Sequence, residues 1–312
     1  MKDLGKNVVS RHQVGDEVAG QRLDNYLLKL LKGVPKSHVY RVLRSGEVRV
    51  NRGRARPDYR LQAGDELRLP PLRLAERAPR RPPADPRLEK AVLYEDEAIL
   101  ALDKPAGLAV HGGSGVSFGV IEQLRAQRPQ LRFLELVHRL DRDTSGVLLL
   151  AKKRSALTAL HAALREGRVH KYYRALVLGR WRNARQSVKA GLRKYVLDSG
   201  ERRVAVDRDG QAAHTIFELE KAWTAHSLVR AELKTGRTHQ IRVHLAHLGF
   251  PIAGDDKYGD FARNRELAAA GLKRMFLHAA RLEFNHPLTG EPLVVQAPLP
   301  DELQRFVAGL GD

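Results

Sequence analysis

The chain has 312 residues, of which 43% are hydrophobic, so it can form one large or two ordinary domains with a real core. It has no cysteine and no long apolar run, which excludes disulfides, cysteine-based zinc sites and a membrane-spanning helix. Residues 1–13 lack the apolar stretch of a signal peptide, so we expect a soluble, cytoplasmic protein.

The net charge of +19 is unevenly distributed along the chain. Residues 1–88 carry +10, and the much longer remainder carries +9. This asymmetry predicts a polyanion-binding module at the N-terminus, with nucleic acid as the favoured partner. A membrane surface is disfavoured, because no basic amphipathic helix with aromatic anchors is evident.

Two helices open the predicted N-terminal module. Leucines recur at the spacing of one helix face at Leu23, Leu27, Leu30 and Leu31. Gly33 should end this helix, Ser37 should cap a second helix, and Gly46 should end the second one. Alternating valines and leucines then predict short strands around residues 48–50 and 67–69, with turns at residues 51–53 and 63–65. The module is therefore predicted to be a small α+β unit.

Residues 36–60 of this module hold eight basic side chains against two acidic ones. Such a run is typical of a solvated face, and it also suits phosphate contact, in which case the candidates are Lys36, Arg41, Arg44, Arg49 and Arg52. Segments 20–24, 37–44, 46–51 and 63–66 resemble the S4 RNA-binding domain, and the resemblance covers residues 16–70. We expect this domain to occupy residues 1–76.

Residues 77–88 contain four prolines and predict an extended, positively charged linker. A second domain should therefore occupy residues 89–312. It begins with predicted strands at residues 91–94 and 99–102, a turn at residues 103–107 and a glycine-rich loop at residues 110–115. The loop lacks the Gly-Lys-Ser/Thr ending of a nucleotide-hydrolysing P-loop, so close approach to a ligand and simple flexibility both remain open.

The most informative segment is residues 138–146, His-Arg-Leu-Asp-Arg-Asp-Thr-Ser-Gly, between apolar runs at residues 133–137 and 147–151 that predict buried strands. Charges between core strands cost free energy unless they are paired or exposed, and residues 144–146 predict a turn. A kinase loop is excluded by its spacing. Asp141 and Asp143 could form a glycosidase pair, although the turn that follows makes a shared face less favourable.

A predicted helix with Leu157, Leu160 and Leu164 on one face then leads into a strand at residues 171–177. Its adjacent Tyr172 and Tyr173 should point to opposite faces. A second strand at residues 228–233 precedes a helix at residues 240–248 that Thr238 should cap. Three histidines in this region raise the question of metal: His239, His244 and His247. Without a His-Glu-x-x-His pattern, core or capping roles are expected instead.

Residues 138–146, Lys171 with Tyr173, residues 235–244 and residues 277–279 together resemble the RNA pseudouridine synthases, in the branch that acts on ribosomal and some transfer RNA. The similarity covers nearly all of residues 91–300. It implies a mixed, mainly antiparallel sheet flanked by helices. Segments 33–37, 111–115 and 133–137 fit one large-subunit subgroup of that branch better than its sister subgroup, and Phe250 stands where relatives commonly place His.

The resemblance implies a role for each matching residue. Asp141 is the catalytic carboxylate, Arg242 its paired cation, and Tyr173 the ring that stacks on the target base. Arg139 helps to displace that base from the RNA, and Leu277 lines the floor of the pocket. The expected substrate is uridine in 23S ribosomal RNA or in pre-ribosomal large-subunit particles, acted on by a monomer without metal or membrane.

The implied chemistry is consistent with these side chains. The isomerisation breaks the N1–C1′ bond and joins C5 to C1′ without oxidation or addition, so no cofactor is expected. Asp141 must be ionised to attack C1′, to remove a sugar proton or to stabilise positive charge. A nearby arginine favours that form by roughly 4 kcal/mol at about 4 Å and an effective dielectric near 20.

Two other functional classes remain as alternatives. A non-catalytic RNA-binding or ribosome-assembly protein should have lost Asp141, Tyr173 or Arg242, and all three are present. A glycoside-cleaving enzyme that uses Asp141 and Asp143 should release free uracil, whereas the isomerase should release the C5 hydrogen and no free base.

Overall fold

The computed structural model describes residues 9–31, 34–71, 82, 85–113 and 116–311. The chain divides into two units, Met1–Arg81 and Pro82–Asp312. Within the described ranges, no helix is long and apolar enough to cross a membrane.

The first unit combines a small antiparallel sheet with two helices. Its elements are β1 (Ser10–Gln13), a 3₁₀ turn (Asp16–Val18), α1 (Leu23–Leu30), α2 (Lys36–Arg44), β2 (Arg49–Val50), β3 (Gly53–Arg54) and β4 (Glu66–Leu69). The strand order is β1-β4-β2-β3. The apolar faces of both helices pack on one core with these strands, as their leucine and valine spacing predicts.

The predicted start of the second helix is wrong by two positions. Pro35 occupies the N-cap with φ −55° and ψ 139°, so α2 begins at Lys36 and Ser37 lies inside its first turn. The extended backbone of Pro35 sets the entry to the helix without a side-chain cap. The predicted end at Gly46 is confirmed by its left-handed φ of 74°. Gly33 lies outside the described residues.

The predicted linker ends earlier than expected. Helix α3 (Pro86–Lys90) begins inside it, because Asp85 accepts a hydrogen bond from the Arg87 amide and Pro86 fits the first helical position. Leu88 is fully buried in the core of the second unit. Residues 77–81, 83 and 84 of the predicted linker lie outside the described residues.

The second unit is built on a large sheet flanked by helices. Its remaining helices are α4 (Val120–Gln127), α5 (Arg154–Arg165), α6 (Gln240–His247), α7 (Phe261–Ala269) and α8 (Asp301–Ala308). Its strands are β5 (Val92–Glu95), β6 (Ile99–Lys104), β7 (Glu135–Leu136), β8 (Ser145–Ala151), β9 (His170–Leu178), β10 (Arg185–Lys189), β11 (Leu192–Val196), β12 (Arg202–Val206), β13 (His214–Ala222), β14 (His226–Leu233), β15 (Leu277–Asn285) and β16 (Pro292–Gln296).

The sheet has ten strands in the order β10-β13-β14-β9-β15-β8-β6-β5, with β16 beside β15 and β7 beside β8. Strands β11 and β12 form a separate hairpin. Every pairing in the large sheet is antiparallel except β8 with β15. Alternate residues of β8 enter two different cores, with Leu148 and Leu150 on one face and Val147 and Leu149 on the other. The predicted α+β fold is therefore confirmed.

The structure corrects the predicted elements around residues 133–151. Of the strand predicted at residues 133–137, only β7 (Glu135–Leu136) is a strand. Strand β8 begins at Ser145, so the predicted turn at residues 144–146 is wrong. The turn lies earlier, where the Thr144 amide donates to the Asp141 carbonyl at 3.2 Å. Gly146 lies within β8 with φ 108°, and an added Cβ would lie 2.2 Å from the Ala279 carbonyl oxygen of β15. Only glycine allows the two parallel strands to approach this closely.

We expect Gly146→Ala to destabilise the second unit by about 3 kcal/mol or more, because it adds backbone strain and a clash with β15. Gly290→Ala is the matched control, since Gly290 has φ 78° but open space around its Cα, and it should cost about 1 kcal/mol. Urea unfolding followed by tryptophan fluorescence reports on this unit, which holds Trp181 and Trp223. Equal losses of unfolding free energy in the two variants would show that the close approach of β8 and β15 at Gly146 does not contribute to the effect.

Candidate active site

Three neighbouring strands bring the predicted residues to one place. Asp141 lies in the turn that leads into β8, Leu277 begins β15, and Tyr173 lies on β9. The register sets Ser145 of β8 beside His278 of β15. The neighbouring strands therefore bring Leu277 of β15 and Tyr173 of β9 to the same end of the sheet as Asp141.

These residues line a cleft of about 1360 Å³, together with Arg139 and with Arg242 of α6. The volume exceeds the roughly 300–1,000 Å³ that is usual for small-molecule pockets. Its lining includes ten lysines and arginines: Arg139, Arg165, Lys171, Lys194, Arg202, Arg203, Lys234, Arg237, Arg242 and Lys257. The acidic residues of the lining are Asp141 and Glu201. Such a cleft suits a polyanion larger than a single small molecule.

Arg242 is held chiefly by Asp255. Its Nε and Nη2 donate to the two Asp255 oxygens at 2.7 and 2.6 Å, in a bidentate pair whose side chains are 3% and 1% exposed. Burial lowers the pKa of Arg242, but the hydrogen bonds to Asp255 outweigh it, and the net pKa is raised. The guanidinium therefore stays charged inside the protein.

Two nitrogen atoms lie near the same oxygen of Asp141. Its Oδ2 lies 3.4 Å from Arg242 Nη1 and 3.9 Å from His239 Nε2, and its side chain is 28% exposed. For Oδ1, the described part of the chain provides no donor within hydrogen-bond distance. One oxygen is thus held by the protein, and the other is available to a ligand in the cleft.

Tyr173 lies at the boundary of core and cleft. It packs in the main core and also lines the cleft. Burial raises its pKa, and Asp141 adds to the effect, so the phenol is neutral near pH 7. Its neighbour Tyr172 points to the opposite face of the sheet, as predicted, where the Arg230 guanidinium lies 5.4 Å from its ring centre.

A buried lysine contacts the backbone of the turn that holds Asp141. Lys104 is fully buried, and its Nζ donates to the carbonyls of Pro105, Leu108 and Arg142 at 2.8, 2.8 and 3.0 Å. Burial lowers its pKa to about 7. All three ammonium protons are used, and one of them fixes the backbone next to Asp141.

Asp143 does not share the cleft with Asp141. It lines a separate cavity of about 1070 Å³ and pairs with Arg142 at 3.2 Å. The Arg142–Asp143 turn directs the two carboxylates to different cavities. This arrangement argues against a glycosidase pair, which requires both groups on one substrate.

The histidines and the glycine-rich loop have structural partners. Buried His244 contacts the Thr215 hydroxyl at 2.9 Å, and burial lowers its pKa. His138 accepts a hydrogen bond from the Leu149 amide, and burial lowers its pKa to about 4. Across the described ranges no group of acidic or histidine residues could hold a metal ion. In the glycine-rich loop, the Gly112 amide donates to Glu122, while residues 114–115 lie outside the described residues.

Thr238 and Phe250 lie at the two ends of the segment around α6. Thr238 does not cap the helix, because His239 occupies the N-cap with a left-handed φ of 53°. At the other end of the segment, Phe250 packs against Trp181, with ring centres 4.8 Å apart, so its departure from the family pattern serves core packing.

Sequence reasoning missed Asp255 and Tyr258. The Tyr258 ring centre lies 5.1 Å from the Arg242 guanidinium, and its hydroxyl lies 2.7 Å from His239 Nδ1. A signal for Asp255 was available, since a buried arginine needs a carboxylate and Asp255 and Asp256 follow the apolar residues 251–253. Nothing in the sequence identified Tyr258.

The basic candidates of the first unit are mostly exposed. Lys36, Arg41, Arg44 and Arg52 face solvent, and Arg49 is half-buried. Within the described ranges none of the five has a carboxylate partner, whereas Arg22 pairs with Asp24 at 2.8 Å. Their charge is therefore available to a ligand of this unit.

Comparisons with known proteins found similarity in both units of the chain. The family model described as RNA pseudouridylate synthase matches residues 98–247, and the S4 domain model matches residues 21–67. Proteins named "Ribosomal large subunit pseudouridine synthase C" are similar to the chain. The one from Escherichia coli (strain K12) is 57% identical over 94% of this chain and 93% of its own, and the one from Pasteurella multocida is 55% identical over 95% and 92%.

Solved structures show similarity to the same family. "Human RNA Pseudouridylate Synthase Domain Containing 4" is 25% identical with a TM-score of 0.57, and it covers 71% of this chain and 93% of its own. "Human RNA Pseudouridylate Synthase Domain Containing 1" has the same identity and TM-score, with 69% and 86% covered.

The Arg242–Asp255 pair predicts a large stability effect. Asp255→Asn should cost about 3–5 kcal/mol, because it leaves a buried guanidinium uncompensated. Asp256→Asn is the control, since Asp256 is 64% exposed and lies 3.4 Å from Arg242, and it should cost about 1 kcal/mol or less. Urea unfolding at pH 7 measures both, and similar losses would contradict the dominant role of Asp255.

The same pair predicts a pH dependence. Burial raises the pKa of Asp255, but hydrogen bonds from Arg242 outweigh it, so the folded pKa is lowered. A lowered folded pKa means that the stabilisation is complete above the unfolded value of about 3.9 and is lost as the pH falls through the folded value. The stability difference between the native chain and Asp255→Asn should therefore be constant from about pH 7 to 5 and shrink below about pH 4.

Proposed function

The chain belongs to the RNA pseudouridylate synthase family, and from this premise we propose that it isomerises specific uridines of large-subunit (23S) ribosomal RNA to pseudouridine. The observation that carries the proposal is Asp141, a carboxylate with one free oxygen in a large basic cleft. The substrate follows from the relatives, whose shared name specifies the large ribosomal subunit. That name also favours synthase C over a synthase D-like specificity.

We assign Asp141 to cleavage of the N1–C1′ bond. Arg242 holds Oδ2, while Oδ1 can reach the ribose. A carboxylate so placed can attack C1′, forming an ester bond that breaks when C5 bonds to C1′, or it can remove a sugar proton that later returns. In either route the N1–C1′ bond breaks and the C5–C1′ bond forms. The C5 proton then leaves, and N1 takes up a proton. Arginine suits this task because it stays protonated throughout the reaction.

The side chains around Asp141 are suited to bind a uracil that has been flipped out of the RNA base stack. Tyr173 offers a neutral ring for stacking on uracil, and Leu277 provides an apolar surface beside it. Arg139 is exposed at the cleft and can enter the gap that the base leaves in the RNA. Extrusion costs a few kcal/mol, which contacts of this kind can offset.

The first unit supplies affinity in this proposal. Lys36, Arg41, Arg44, Arg49 and Arg52 would contact phosphates, which give binding strength and salt dependence but no sequence choice. The boundary between the RNA-binding and catalytic parts would lie within residues 77–88. We further propose a cytoplasmic monomer that acts on 23S RNA or pre-ribosomal particles and needs no cofactor or metal, because isomerisation involves no net redox change.

The central prediction separates the two aspartates of the turn. Asp141→Asn should abolish pseudouridine formation while RNA binding survives, because the amide keeps the shape but cannot act as a nucleophile or base. Asp143→Asn is the matched control and should keep most of the activity, since Asp143 faces another cavity. Carbodiimide-dependent primer extension on 23S RNA measures the product. Normal product from Asp141→Asn would exclude Asp141 as the catalyst.

A second readout tests the reaction class. RNA with tritium at C5 of uridine should release tritium with the native chain, and no free uracil should form. Free uracil would indicate a glycoside-cleaving enzyme, and RNA binding without either product would indicate a non-catalytic assembly protein.

The charge of the first unit generates a further prediction. Replacing Arg41, Arg44, Arg49 and Arg52 by Gln together should weaken RNA binding and lower the salt slope of log affinity by about 3 to 4, at roughly 0.7–0.9 per phosphate contact. Arg11→Gln serves as the control, because Arg11 already pairs with Glu66 at 3.2 Å. An unchanged salt slope in the fourfold variant would show that these cations do not contact RNA.

A further inference from the structure

The backbone of His239 is unusual. Among the described non-glycine residues, left-handed φ values occur at Asn51, Arg52 and His239. The first two form the tight turn between β2 and β3, where such values are expected. His239 instead begins a buried helix, next to Asp141. Strained backbone that persists at a ligand cleft is a reason to look for a function of that residue.

This backbone conformation places the imidazole between two groups. Its Nδ1 lies 2.7 Å from the Tyr258 hydroxyl, and its Nε2 lies 3.9 Å from Asp141 Oδ2. The side chain is 15% exposed. The Tyr258 ring also contacts the Arg242 guanidinium, so one tyrosine touches both groups that face Oδ2.

The hydrogen bonds around Tyr258 favour one tautomer of His239. The Val204 amide of the β11–β12 hairpin donates to the Tyr258 oxygen at 3.0 Å. We assign the Tyr258 hydroxyl proton to His239 Nδ1, which is the acceptor in reach within the described ranges. An accepting Nδ1 leaves the proton of the neutral ring on Nε2, directed at Asp141.

We propose that His239 is a positioning residue that donates its Nε2–H to Asp141 Oδ2 and is oriented for this by Tyr258. The inference rests on the proposed role of Asp141. At 3.9 Å the contact is longer than a hydrogen bond, and it closes when RNA fills the cleft, as catalytic hydrogen bonds commonly do on substrate binding. Arg242 and His239 together then fix one carboxylate oxygen and direct the other to the ribose.

Burial keeps this donor neutral, and the charged groups around it act in both directions. Burial lowers the pKa of His239; Asp141 from the turn and Asp255 oppose this, while Arg242 from α6 and Lys257 act with it. The net pKa is below the usual 6.5, so the ring is uncharged at neutral pH. A neutral imidazole can donate Nε2–H to the carboxylate without adding a second positive charge beside Arg242.

The test uses His239→Asn in the full-length chain with transcribed 23S RNA under single-turnover conditions. Asparagine tolerates left-handed backbone and can still accept from Tyr258, but it lacks the donor that faces Asp141. We expect the rate of pseudouridine formation to fall about 10- to 100-fold, the range of a hydrogen bond to a charged group. RNA affinity should stay unchanged. The acidic limb of the pH–rate profile should move to higher pH, because the carboxylate loses a donor that favours its ionised form.

Two further variants make the test specific. Tyr258→Phe keeps the ring over Arg242 and removes the hydroxyl, so we expect a smaller loss of rate, about 3- to 10-fold, with the same direction of pH shift. His247→Asn is the control, because His247 is an exposed histidine of the same helix, and it should change neither quantity. If His239→Asn does not fold, as judged by urea unfolding, Tyr258→Phe decides the question.

A native rate and an unshifted acidic limb in a folded His239→Asn chain would overturn the proposal. A lower rate with lower stability but no pH shift would also overturn it, since that is the result of a purely structural role. If the native chain modifies a different RNA, only the substrate assignment fails, and the ratio of variant to native rate still tests His239. If Asp141→Asn stays active, the roles of Asp141 and His239 both fail.

Discussion

The site depends on the buried ion pair between Arg242 and Asp255. A guanidinium that is 3% exposed needs a carboxylate partner, and Asp255 supplies both oxygens in a bidentate arrangement. Asp255 also accepts the amides of Lys257 and Tyr258 at 2.8 and 3.0 Å, so its position is fixed by the backbone that follows it. Asp255 binds Nε and Nη2 and so fixes the plane of the guanidinium. The third nitrogen, Nη1, then faces Asp141.

The parallel pairing of β8 with β15 imposes a second constraint. It brings the end of the turn that holds Asp141 close to the start of β15, and Gly146 allows the two backbones to approach. Arg274 joins the same pieces, since its Nη2 donates to the Asp143 carbonyl, the Ser145 hydroxyl and the Leu277 carbonyl. With Lys104 bound to the Arg142 carbonyl, the turn is held on two sides by basic side chains, of which Lys104 is fully buried and Arg274 partly buried. Asp141 therefore lies on a rigid support although it is itself in a turn.

The sequence predicts much of the fold because burial is periodic along strands and helices. Strand β14 alternates as expected, with Val229, Ala231 and Leu233 in the core. Caps failed at Ser37 and Thr238, because a side chain suited to capping does not show which backbone conformation tertiary packing imposes there. Turn boundaries near β8 failed because its start is set by a strand more than a hundred residues later. Asp255 and Asp256 look alike in sequence, and only the fold shows which one is buried.

The arrangement of cations explains how one cleft can serve both RNA and a carboxylate. Phosphates would compete with Asp141 for any exposed arginine, and most of the cleft's cations lie where a phosphate can reach them. Arg242 is not available to phosphates, because its side chain is 3% exposed and is paired with Asp255. The hairpin β11–β12 lines the same cleft through Lys194 and Arg202 and also donates to Tyr258. On the proposed function, RNA along the cleft would contact the same hairpin that donates to Tyr258, so substrate binding and alignment of Asp141 would depend on shared contacts.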